Sequence, residues 1–104
     1  MEKKRRAEPT DDGHHVVIDG RKWRATDPAL PEETAAELRK HLMAARRAVR
    51  DALRQEDPEA ERRARARVQV AKTALGERGP AWWEQSQEER RKRWETGLER
   101  LRDE

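Results

Sequence analysis

The sequence predicts a mainly α-helical α+β domain: an N-terminal β-hairpin packed on an antiparallel αα-hairpin, with a third helix at the C-terminus. Three observations carry this expectation. β-branched residues gather in one place, Val16-Val17-Ile18, and run straight into Asp19-Gly20. Two later stretches place apolar residues at alternating spacings of three and four, the signature of an amphipathic helix. Proline or glycine closes off each stretch.

Residues 1–13 read as a disordered polar tail, and 14–104 as one small domain. Lys3-Lys4-Arg5-Arg6 has the composition of a nucleic-acid arm, but Glu8, Asp11 and Asp12 follow at once, which fits a solvated tail. The hairpin occupies 14–26. Asp-Gly suits the two positive-φ positions of a type I′ turn, so Ile18 should pair with Arg21, Val17 with Lys22 and Val16 with Trp23. A hairpin alone is marginal in water, so its Trp23 face is expected to pack on the helices. Asp27-Pro28-Ala29-Leu30-Pro31 then reads as a rigid connector.

The first helix is expected over 31–55, with Glu32 and Glu33 at its positive end. Leu38, Leu42, Ala45, Val49 and Ala52 form its apolar seam, bordered by Met43 and Leu53. Asp57 is an N-cap and Pro58 a first helical residue, which starts a second helix over 58–75. Its seam is Ala64, Val68, Ala71 and Leu75, and Gly76 is its C′ stop. Matching seams and a short loop predict antiparallel packing. Ser86 with Glu89 makes a capping box for a third helix over 87–102. That helix presents Trp94, Leu98 and Leu101, and Gly97 costs it about 1 kcal/mol of propensity, so its packing is expected to be the weaker.

Composition bounds the function. Charged residues make up 45% of the 104 and hydrophobic ones 33%, so the core must be thin. There is no cysteine, which removes disulfides and thiolate chemistry. No apolar run approaches the ~18 residues of a membrane span, and no hydrophobic stretch follows the basic start as a secretory signal requires. A cytoplasmic location and no membrane partner are therefore expected.

Arginine outnumbers lysine 19 to 6, a bias that GC-rich codons can produce by themselves. Placement bears more directly on function. Residues 37–72 hold eleven basic and six acidic side chains, whereas each flank is slightly acidic. Arg46, Arg50 and Arg54 recur every fourth residue as a stripe, with Arg47 beside them and Arg63 and Arg67 on the second helix. Such a face could neutralise phosphates; a solvated surface with arginine stems over apolar atoms has the same sequence signature.

No catalytic, cofactor or metal site is expected. His14 and His15 are adjacent, so on a strand they should point to opposite faces, and His41 is isolated on a helix. The sequence contains no Gly-rich phosphate loop and no nucleophile elbow. Of the four tryptophans, Trp23 and Trp83 are expected in the core and Trp82 as an exposed interface anchor.

The segments HHVVIDGRKWRATDPALPE, LMAARRAV, RARVQVAKTALGERG and AWWE lie within residues 14–84. Together they resemble a family of small proteins from high-GC bacteria, marked by a VVxDGRxWRATDP opening and an ALGERGxxWW motif. Some members carry a label linking them to Tol-type biopolymer transport, whose subunits need a membrane-spanning helix that this sequence lacks. The resemblance implies no particular activity and says little about the tail and the third helix.

The expected function is a non-enzymatic cytoplasmic binding module without cofactor or small-molecule substrate. DNA or RNA is the expected partner, held non-specifically by Arg46, Arg47, Arg50, Arg54, Arg63 and Arg67. The alternative is a protein-protein or homo-oligomerising helical accessory protein that docks through its seams and tryptophans.

Overall fold

Asp19 and Gly20 both take positive φ, 53° and 77°, and this turn sets the register of the strands around it. In a computed structural model, which describes residues 7–103, three strands form an antiparallel sheet in the order β1 (Glu8–Pro9), β2 (His15–Ile18) and β3 (Arg21–Arg24). The β2–β3 pairs are Ile18 with Arg21, Val17 with Lys22, Val16 with Trp23 and His15 with Arg24. Three helices follow: α1 (Glu32–Arg54), α2 (Pro58–Ala74) and α3 (Gln87–Arg102), with a short 3-10 turn at Trp82–Glu84 before the last.

From Glu8 onward the tail expectation is corrected. Glu8 pairs with Val17 and Pro9 with Val16, and a proline is tolerated there because β1 is an edge strand. The link into β2 is fastened by side chains: Thr10 Oγ1 donates to Asp12 Oδ1 at 2.7 Å, and Asp12 Oδ1 also accepts from the His14 amide at 3.0 Å. Lys3-Lys4-Arg5-Arg6 and the rest of 1–6 lie outside the described residues.

The helix ends follow local chemistry. Asp57 Oδ1 accepts from the Ala60 amide at 3.1 Å to start α2. Ser86 and Glu89 form the full capping box of α3, with bonds of 3.1 and 2.8 Å. α2 ends in a Schellman motif: Glu77 N donates to Lys72 O, and Gly76 N to Thr73 O, each at 3.0 Å. α1 ends in the same way through Asp57 N to Ala52 O and Glu56 N to Leu53 O, with Glu56 rather than a glycine at φ 53°.

α1 and α2 pack as a pair along the predicted seams, and α3 packs mainly on α2. Leu30, Leu38, Leu42, Leu75, Trp94, Leu98 and Leu101 make the main core with Ala35, Ala71 and Ala74. Each buried leucine contributes roughly 1.5–3 kcal/mol. Gly97 has a packing reason: a Cβ there would lie 2.5 Å from Ala74 Cβ. α3 thus touches α2 at backbone range at this point, although its packing on the helix pair is less extensive than that of α1 on α2, as expected. Glu37 reinforces the end of α3, accepting from Arg102 Nε at 2.7 Å and Nη2 at 2.6 Å.

The sheet is fastened to the helices at its base. Arg24 Nη1 donates to Gly79 O at 2.7 Å, Thr26 Oγ1 to Glu77 Oε2 at 2.6 Å and Trp82 Nε1 to Ala25 O at 2.9 Å. Trp23 remains 41% exposed, so its expected place in the core is corrected. The alternation of the strand defines two faces, and the face carrying His15 and Arg24 meets Trp83.

Candidate nucleic-acid interface

Asp27, which looked like part of a connector, is the point where the whole fold is tied together. It is 1% exposed, in the segment between sheet and α1. Arg90 clasps it through two hydrogen bonds, Nε to Oδ2 at 2.9 Å and Nη2 to Oδ1. Arg93 Nη2 donates to Oδ2 at 2.7 Å, and the Ala29 amide to Oδ1 at 2.8 Å. The backbone of Asp27 joins in, its N–H bonding to Leu75 O at 2.9 Å. Burial pushes this carboxyl up, but the hydrogen bonds from Arg90, Arg93 and Ala29 outweigh it and hold the pKa below the ordinary value. A paired, fully bonded buried charge of this kind fixes geometry, and here it fixes α3 against α2.

Trp82 belongs to this clasp. It is 7% exposed, the Arg90 guanidinium lies 5.3 Å from its ring, and its indole N–H bonds to Ala25 O. The expectation of an exposed anchor at Trp82 is therefore corrected: its apolar body closes the corner and its one donor is satisfied. Trp83 is half-buried. His14 stacks on it at 4.0 Å, and His15 approaches the same ring edge-on at 5.6 Å. The two histidines thus meet on one tryptophan, because β2 begins only at His15 and strand alternation does not reach His14.

With α1, α2 and α3 held in this way, the outer side of α2 is left flanked by two grooves. The first, about 470 Å³, runs between α1 and α2. Arg46, Val49 and Arg50 come from α1, Arg65, Val68 and Gln69 from α2, and Arg78 from the turn beyond Gly76. None of its lining residues is acidic. Arg65 Nε is held by Glu61 Oε2 at 2.7 Å and Arg78 Nη1 by Gln69 Oε1 at 2.8 Å. Among the described residues, Arg46 and Arg50 make no ion pair.

The second groove, about 690 Å³, lies between α2 and α3. Gln69 borders both, so they are neighbours on one surface. Ala66, Val70 and Thr73 form the α2 wall, and Lys92, Thr96 and Arg100 the α3 wall. Glu89 is the one acidic residue lining either groove, and its Oε1 accepts from the Ser86 amide. Arg46, Arg50, Arg65, Arg78, Lys92 and Arg100 therefore surround the ridge of α2.

Of the predicted stripe, the structure brings Arg46 and Arg50 to this surface. Arg54 continues the stripe one turn further but is paired with Asp51. Arg47 is exposed, one residue and so about 100° around the helix from Arg46, and lines neither groove. Arg63 is exposed outside both, and Arg67 Nη2 reaches Leu101 O at 3.2 Å at the far end of α3. Arg65, Arg78, Lys92 and Arg100 are the additions. The sequence signal for Arg78 is the glycine stop at Gly76, which turns the chain back along α2. Lys92 and Arg100 required knowing where α3 packs.

No helix among the described residues is long and apolar enough to cross a membrane. Comparison with protein-family models, curated proteins and solved structures found no match to this chain.

Proposed function

We propose that the protein is a non-enzymatic cytoplasmic binding module that holds a nucleic-acid backbone against the outer face of α2. The observation that carries this reading is the α1–α2 groove, lined by four arginines and no carboxylate. Guanidinium groups match phosphate in geometry and charge, and three of the four, Arg46, Arg50 and Arg78, have no carboxylate partner among the described residues, whereas Arg65 is paired with Glu61. Binding of this kind is independent of base sequence and falls steeply with salt, by roughly 0.9 log units per phosphate contact for each tenfold rise in salt.

Anisotropy of labelled duplex DNA and single-stranded RNA, titrated at low and physiological salt, tests the reading. It expects binding that weakens with salt, and a slope reduced by about one for each arginine removed from the set Arg46, Arg50 and Arg78. Absence of binding to either nucleic acid at low salt refutes it.

A second reading has its own observation. Met43 and Leu53 on α1 are 45% and 51% exposed, about 15 Å apart along the helix, and a second copy of the chain packed along α1 would cover both. Sedimentation separates the two readings, since a dimer held by these side chains persists at high salt.

A further inference from the structure

We propose that the preferred ligand is a single strand, with Trp23 stacking on one base while the arginine groove holds the backbone beside it. This rests on the nucleic-acid reading and adds which form of nucleic acid fits. Trp82 and Trp94 are buried, at 7% and 8% exposure, whereas Trp23 is left at 41%. It stands on β3, an edge strand, and shares its face of that strand with the cationic Arg21.

The ring already sits among cations. Arg21 Cζ lies 4.6 Å from its centroid and Lys72 Nζ 6.0 Å. Lys72 links the tryptophan to the groove: Arg65, Val68, Gln69 and Lys72 follow one another at spacings of three, one and three, and so share one face of α2. Four residues separate Val68 from Lys72, about 6 Å along the helix axis. Trp23 thus stands past the Lys72 end of this face, with the Lys72 side chain between its ring and α2. Lys72 is held by Glu77 at 2.8 Å, so Arg21, which shares the Trp23 face of β3, is the side chain that would meet phosphate next to the stacked base.

An exposed aromatic ring beside a basic groove is the arrangement that binds single strands without regard to sequence, because every base has a π face. A duplex hides those faces inside its own stack, so it can use the groove but not the ring.

The test compares three labelled ligands at low salt: oligo-dT, an abasic strand of the same length, and a duplex. Stacking of one base is worth about 1–3 kcal/mol, so oligo-dT should bind roughly 5- to 150-fold tighter than the abasic strand and quench tryptophan fluorescence. Trp23→Ala should bring oligo-dT down to the abasic level, remove the quenching and leave duplex binding unchanged. Trp23→Leu, which keeps apolar bulk beside Val16, should behave in the same way and guards against a folding defect in the alanine variant. Equal binding of oligo-dT and abasic strand by the wild-type chain overturns the stacking proposal while the backbone-binding reading stands. So does an oligo-dT preference that survives both variants. Failure to bind any of the three ligands overturns both.

Discussion

Asp27 and Arg90 are joined by a two-bonded clasp across 63 positions of the chain, and Arg93 completes it from the next turn of α3. The arrangement links the segment after the sheet, the end of α2 and the whole of α3 at one buried carboxylate. The face proposed to bind phosphate needs α2 and α3 in fixed relation, and this clasp supplies it.

Removing the charge should be costly. Asp27→Asn leaves two arginines facing a neutral partner, a loss of about 3–5 kcal/mol for a broken buried pair. Urea unfolding at neutral pH measures it. The same residue gives a pH dependence of defined sign. Its folded-state pKa lies below the ordinary 3.8, so its stabilisation is present in full above about pH 5 and is lost as pH falls through the folded-state value. Between pH 5 and 3 the wild-type protein should lose stability more steeply than Asp27→Asn; parallel curves would show that the clasp does not hold the fold.

Gly97→Ala should destabilise, although alanine is the better helix former. Overpacking of about 1–3 kcal/mol against Ala74 exceeds the ~1 kcal/mol gained in propensity. Adding Ala74→Gly should restore part of the loss, which a double-mutant cycle by urea denaturation reads as a coupling between the two sites. Full additivity would mean that α3 does not approach α2 at this point.

Glu56→Gly should stabilise. Glu56 takes φ 53° at the end of α1, a left-handed conformation that costs an L-residue about 1–2 kcal/mol. Glycine relieves this, less its own loss of chain entropy. Thermal unfolding should show a gain of about 0.5–1 kcal/mol, and no gain would point to a different end for α1.

The parts of this fold that the sequence made legible are those with local causes. The Asp19-Gly20 turn dictated the strand register, Asp57 and Ser86 the helix starts, and the three-four spacings the α1–α2 seam. What was missed depends on partners distant in the chain. Asp27 is one of 22 acidic residues, and nothing near it marks Arg90 and Arg93 as its partners. Trp94 lies in the core as its helical spacing predicts, whereas Trp23 and Trp82 exchange the expected environments; for Trp23, alternation along β3 separates two faces without saying which one meets Trp83. Of the arginine face, the i,i+4 spacing located Arg46 and Arg50. It also selected Arg54, which Asp51 holds, and it gave no means of placing Arg78, Lys92 or Arg100.

The most direct test of the interface is a map of backbone amide shifts as a short DNA oligonucleotide is added at low salt. The account predicts changes grouped on Arg46, Arg50, Arg65, Gln69 and Arg78, spreading toward Lys92 and Arg100, and their loss in Arg46→Glu/Arg50→Glu with the fold intact. Changes centred instead on Glu37, His41 and Arg102, or a spectrum indifferent to the oligonucleotide, would contradict it.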